Sequence, residues 1–221
     1  MNLQENLSHL ENRIVNACKR AGRKRDEITL IAVTKTHPVE IIREAYNLGI
    51  RDFGENRVQE LLKKKDMLPS DIRWHLIGHL QSNKAKYIAE FVHCVHSVDS
   101  FETAKELSKR AEQYSRTIDV LLEINVAGEA TKEGIPLSEG KGLLHHLSEE
   151  ATSLFVRGLM TVAPFENDPE QVRPFFRDLH RLCGELELKE LSMGMTNDFE
   201  VAIEEGATMI RLGSALFGER I

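Results

Sequence analysis

Cysteine is scarce in this chain. Cys18, Cys94 and Cys183 are the three present in 221 residues, far apart and never as C-x-x-C. An odd, scattered set excludes a disulfide framework and a zinc–cysteine site, and it fits a reducing, cytoplasmic setting. Positive charge is not in excess either. Lys and Arg total 29 against 35 Asp and Glu, for a formal net charge of −6. That balance argues against broad binding to nucleic acid or to an anionic membrane. No apolar run is long enough to span a bilayer. The N-terminus lacks the apolar core of a targeting signal. Instead Leu3, Leu7, Leu10, Ile14 and Cys18 recur at threes and fours, one stripe of an amphipathic helix. No Pro/Gly/Ser-rich linker or low-complexity segment divides the chain, so residues 1–221 read as a single domain. P-loop, G-x-S-x-G and H-E-x-x-H motifs are absent as well.

After the first helix, the sequence repeats one unit: a short β-rich run, a polar turn and a helical period. Strands are expected at 28–35, 51–55, 73–78, 92–98, 119–126, 155–162, 190–194 and 208–213. Pro38 opens the helix after the first strand and Gly49 lies past its end, with Val39, Ile42 and Tyr46 as its inner stripe. Residues 169–183 and 198–205 behave in the same way. Strands alternating with helices imply right-handed crossovers and a parallel sheet, and eight strands suffice to close a TIM-type (β/α)8 barrel. An open doubly wound sheet is the rival. It normally carries a glycine-rich first turn, whereas here that turn is TKTHP.

A barrel concentrates function at the C-terminal ends of its strands. Those ends carry Lys35, Glu55, Asn56, His79, Asp99, Asn125, Thr161, Ser192–Thr196 and Arg211–Ser214. Lys35 follows the apolar run ITLIAVT. It could snorkel into water, or, once desolvated, act as a nucleophilic amine towards an aldehyde. In IRLGSALFG, Arg211 and Gly213 share the face opposite Ile210 and Leu212, so Arg211 points into the barrel and Gly213 leaves its backbone open to a ligand. Gly213 and Ser214 open a helix-like segment after strand eight. Gly194 and Thr196 follow strand seven, the other place where this fold cradles phosphate. Thr196, Asn197 and Asp198 are equally good helix caps, and Arg211 could simply close the barrel in a salt bridge. His75 and His79, four apart on a strand, are separated by roughly 13 Å and cannot share a metal ion. His93/His96 and His145/His146 lack a carboxylate pattern, so no metal site is expected. Glu123 shares a face with Asn125 and reads as an interior charge, either functional or paired with an interior arginine. The runs Arg23–Arg25 and Lys63–Lys65 read as solvated faces. A strand-end amine opposite a phosphate cradle suits an aldehyde that bears a phosphate: pyridoxal 5′-phosphate, or a phosphosugar held by an aldolase lysine.

The segments IAVTKTHP, FGENRVQE, WHLIGHLQSNK, VHSVDS, LLEINVAGEATKEG, GLMTVAP, LSMGMTNDFEVAI and IRLGSALFGER decide between these ligands. Together they resemble the pyridoxal phosphate homeostasis protein family, single-domain relatives of the alanine racemase barrel. The likeness runs from about residue 30 to residue 220. It implies a fold-type III barrel with an extra N-terminal helix and pyridoxal 5′-phosphate at its mouth. Lys35 matches the Schiff-base lysine, which would hold the cofactor as an aldimine, and Arg211 matches the arginine facing the pyridine nitrogen. Thr196, Gly213 and Ser214 match the phosphate-binding positions. Thr196 stands where serine is commoner and Ser214 where threonine is common, and both keep a hydroxyl. Asn56, Ser192 and Met193 match neighbours of the ring.

The resemblance also implies a role: a carrier of the cofactor in vitamin B6 and amino-acid homeostasis, with apo-enzymes as candidate recipients. An arginine at the pyridine nitrogen weakens the ring as an electron sink. The sequence runs out directly after the eighth strand, so neither a second domain with an opposing acid/base group nor a dimer partner is expected. Both points favour a monomeric binding protein over an enzyme. A weak racemase-like enzyme acting on amino acids is the alternative, with Glu123 or Tyr87 as its base.

Overall fold

The computed structural model describes residues 2–129 and 131–218. Residues 1, 130 and 219–221, which include the end of the IRLGSALFGER segment, lie outside the described residues. The strands are β1 (Thr29–Val33), β2 (Asp52–Glu55), β3 (Arg73–Leu76), β4 (Cys94–Val98), β5 (Ile118–Asn125), β6 (Ile135–Pro136), β7 (Leu154–Met160), β8 (Glu190–Ser192) and β9 (Met209–Leu212). The α-helices are α1 (Leu3–Arg20), α2 (Val39–Asn47), α3 (Val58–Lys65), α4 (Phe101–Gln113), α5 (Gly140–Glu150), α6 (Arg173–Glu185), α7 (Phe199–Glu204) and α8 (Ser214–Phe217).

Hydrogen bonding runs β4-β3-β2-β1-β9-β8-β7-β5, and β4 pairs again with β5. Eight strands therefore close on themselves, all parallel, into the expected (β/α)8 barrel. Most strands stop short of their expected C-terminal ends because the chain turns away from its neighbour there. β1, for example, ends at Val33 rather than Lys35. β6 falls outside every expected strand. It is two residues long, one of them proline, and pairs beside the end of β5.

Two environments flank the strands. Outward residues pack against the helices in one continuous apolar cluster. It takes Leu10, Ile14, Ala17 and Cys18 from α1, Ile42 and Ala45 from α2, and Phe176 and Leu179 from α6. Inside the barrel, a separate apolar cluster contains only Cys94, Leu121 and Met160, with Met209 against it. Ile31, level with the inward-facing Arg211, is also buried there, beside the buried polar groups Asp52, His75, His96, Glu123, Ser192 and Arg211.

α1 packs across the barrel against α7 and α8. An Asn2–Glu5 capping box starts it. Arg23 and Arg25 are not the solvated loop the sequence suggested. Arg23 donates to the carbonyls of Ile203 and Ala207, and Arg25 pairs with Glu11 at 2.7 Å, fastening the end of α1 to its neighbours. No helix among the described residues is long and apolar enough to cross a membrane.

Candidate functional site

Lys35 sits in a tight turn two residues past β1, half-buried. The His37 amide donates to the Thr34 carbonyl at 3.0 Å, and Thr36 has φ +68°. A four-residue turn with positive φ at its third position is of type II, and a β-branched residue there is strained. The turn is braced from below. Lys64, from α3, donates to the Thr34 carbonyl at 2.8 Å, to Glu55 at 2.6 Å and to Glu60 at 2.7 Å. The Thr34 hydroxyl also donates to Glu55, and the Thr36 amide donates to Glu60. Lys64 is 6% exposed and Glu55 0%. Lys64 is therefore no part of a solvated face. Its four-residue spacing from Glu60 resembles an ordinary surface helix pair, and only the barrel wall turns that pair inward.

On the opposite side, the Thr196 and Ser214 hydroxyls lie 3.2 Å apart, after β8 and β9. Gly194, with φ +91°, makes the bend that brings Thr196 there, and a Cβ would lie 2.6 Å from that of Ala202. Asp198 caps this loop by accepting from the Met195 amide at 2.6 Å. At Gly213 a Cβ would come no closer than 3.5 Å to Val33, so internal packing does not require glycine there. Its openness serves the cavity, whose wall it joins.

That cavity, about 740 Å³, is lined by Lys35, Asn56, Thr196, Arg211, Gly213 and Ser214 together with apolar residues including Val33 and Ile77. Six of the eight expected site residues therefore converge. Asn56 is pinned where Gly78 passes so close that a Cβ would lie 2.5 Å from the Asn56 carbonyl oxygen. Its buried Oδ1 has no hydrogen-bond partner among the described residues. The other two expected side chains lie elsewhere because adjacent strand residues face opposite ways. Ser192 points into the lumen beneath Arg211, and Met193 packs in the helix-facing core.

Arg211 is 4% exposed. Its Nη1 donates to Ser192 Oγ at 2.7 Å and its Nη2 to the Thr161 carbonyl at 2.8 Å. Burial lowers its pKa to about 10, with Asp198 and Glu123 opposing the shift, so it remains a cation at neutral pH. Behind Ser192, His75 does not meet His79, in keeping with their separation along the strand. His75 instead meets His96, and the ligand-type atoms of His75, Cys94 and His96 lie within 4.8 Å of one another. His79 bonds Asp99 at the rim. Glu123 is interior, as expected, yet its Oε2 finds no partner among the described residues. Burial, reinforced by Glu133 and Asp99, raises its pKa to about 7. Tyr87 is half exposed and is not part of the cavity wall.

The family described as alanine racemase, N-terminal domain, matches residues 6–221, which sets the class as the alanine-racemase-type barrel. A pyridoxal phosphate homeostasis protein of Aquifex aeolicus is 48% identical over 227 residues, covering 100% of this chain and 99% of its own. With that identity over full length, the chain belongs to the pyridoxal phosphate homeostasis protein family. Among solved structures, PipY of Synechococcus elongatus PCC7942 with pyridoxal phosphate bound matches at a TM-score of 0.84 and 36% identity, covering 98% of this chain and 100% of that one. An alanine racemase of Clostridium difficile 630 matches at a TM-score of 0.74 and 15% identity, over 99% of this chain and 57% of that one, a likeness of fold alone.

Proposed function

We propose that the protein binds pyridoxal 5′-phosphate at the barrel mouth and serves cytoplasmic vitamin B6 and amino-acid homeostasis as a monomeric carrier, with apo-enzymes as recipients. The observation that carries this reading is the convergence on one cavity of an amine, a guanidinium, two hydroxyls and an orphaned amide oxygen, in a chain of this family. The donor set fits the cofactor. When bound, the group supplies an aldehyde, an electron-drawing ring and a phosphate. Lys35 would hold the group through its amine, which lines the cavity. Thr196 and Ser214 donate to phosphate, and Gly213 keeps the backbone open beside them. Asn56 Oδ1 needs a donor, and the ring hydroxyl is one. Ser192 acts through Arg211, while Met193 packs behind the loop that carries Thr196.

Arg211 favours a carrier over a catalyst. A cation anchored by two hydrogen bonds, it would face the ring nitrogen and disfavour its protonation, which would weaken the ring as an electron sink. A racemase-like enzyme is the second reading, and Glu123 supports it: a buried, unpartnered carboxyl with a pKa near neutrality is the kind of group that moves protons. The test is α-proton exchange of L-amino acids in deuterated water. A carrier gives rates no higher than free cofactor, whereas faster exchange abolished by Lys35→Ala establishes an enzyme. Borohydride reduction and peptide mapping should place the cofactor on Lys35. A label on another lysine removes Lys35 from the site.

A further inference from the structure

The lumen holds a chain of hydrogen bonds that the binding reading leaves unused. Asp52 Oδ1 lies 3.1 Å from His75 Nε2, His75 Nδ1 lies 2.9 Å from His96 Nε2, and His96 Nδ1 lies 2.9 Å from Ser192 Oγ. Arg211 Nη1 completes the chain at 2.7 Å from Ser192 Oγ. His75 is 2% exposed, and His96 and Ser192 are 0%. β4 and β8 are not neighbours in the sheet, so the His96–Ser192 bond crosses the lumen. The chain links the start of β2 to the cavity wall.

Its direction follows from chemistry. Asp52 is also bonded by Arg73, and the hydrogen bonds from Arg73 and His75 outweigh burial and hold its carboxyl well below the usual range. As a carboxylate it only accepts, so His75 carries its proton on Nε2. With only that proton on its ring, His75 accepts at Nδ1, so His96 carries its proton on Nε2. His96, kept neutral by burial and by the nearby Arg211 cation, accepts at Nδ1. The Ser192 hydroxyl must therefore donate to His96, which turns its lone pairs to Arg211. Every donor finds an acceptor, and all bonds point from Arg211 towards Asp52. With a single proton on each ring, the reverse order would set a bare imidazole nitrogen against the Asp52 carboxylate.

We infer that His75, His96 and Ser192 are positioning residues. This one-way chain, anchored on Asp52, fixes the Arg211 guanidinium and so sets how the cavity holds the ring of pyridoxal phosphate. The link to the cofactor rests on the binding reading above, whereas the chain itself does not. The same cluster could instead ligate a metal through His75, Cys94 and His96, but the two imidazoles are already satisfied by each other.

Nitrogen-15 NMR of the cofactor-free protein at neutral pH tests the chain directly. Both rings should be neutral and protonated on Nε2. A ring protonated on Nδ1, a doubly protonated ring, or loss of both patterns on adding stoichiometric Zn²⁺ would overturn the assignment. Titration with pyridoxal phosphate tests the coupling. Ser192→Ala should weaken binding about tenfold, the effect of freeing one anchor of a charged group, and Ser192→Thr should restore it. In an Arg211→Met background, Ser192→Ala should change affinity no further. An equal loss in both backgrounds would make Ser192 a packing residue and sink the inference. If the unmodified protein takes up no pyridoxal phosphate, the binding reading falls, and the NMR result alone judges the chain.

Discussion

The two faces of the barrel wall obey different rules. Outside, one apolar cluster joins strands to helices. Inside, a few buried apolar residues share the space with two carboxyl groups, two histidines, a serine and an arginine. The outer face resists unfolding through area and fit, which are additive and tolerant of substitution. The inner face depends on each polar atom meeting its partner, where one missing group leaves another stranded. Changes outside should therefore register in stability, and changes inside in binding and pH dependence.

The sharpest break in this contrast should come from Phe176, fully buried on the inner face of α6. Phe176→Ala should cost about 3–5 kcal/mol in denaturant unfolding yet leave the affinity of the folded protein for pyridoxal phosphate unchanged. Loss of affinity in the folded variant would show that the outer layer also tunes the site. Lys64→Met should cost nearly as much, about 3–5 kcal/mol, because it strands a buried carboxylate. Unlike Phe176→Ala, it should also disorder the Lys35 turn and slow trapping of the cofactor by borohydride. Unaltered trapping would separate the brace from the site.

Glu123 should give a smaller effect with a distinctive pH signature. Its folded pKa, about 7, lies above the unfolded value near 4.5. Between those limits the folded state binds the extra proton, so its contribution is fully present at low pH and is lost as pH rises towards 7. The full span corresponds to roughly 3 kcal/mol. Glu123→Gln should flatten that decline, and an unchanged slope in urea melts from pH 4.5 to 8 would place the carboxyl in a wetter setting. The smallest effect expected is at the rim. Thr196→Ala should weaken pyridoxal phosphate binding by about 1–3 kcal/mol and pyridoxal binding hardly at all. Equal losses for both would remove Thr196 from the phosphate cradle.

The outer face was the legible one. Its strands and helices announce themselves by periodicity, because every helix must bury a stripe against the sheet. The positions after the strands were legible for a related reason, since the fold puts them at one mouth. Lys35, Asn56, Thr196, Arg211, Gly213 and Ser214 accordingly converge. The misreadings lie where neighbours come from distant strands. Lys64 looked like one charge in a solvated run, and only the turn beneath Lys35 gives it three acceptors. His75 and His79 read as too far apart to act together, and nothing in their spacing points to His75's partner, His96, on the next strand.

The sequence by itself determined the alternation of strands and helices, the closed parallel barrel they imply, and the mouth where the site residues gather, because periodicity and strand ends are local properties of the chain. Tertiary structure alone decided the inner wiring: Lys64 under the Lys35 turn, Ser192 beneath Arg211, and the histidines running down to Asp52. Those partners are fixed by which strands close against or across from one another, and a hydrogen bond of about 3 Å leaves no trace in the spacing of residues 21 or 96 positions apart.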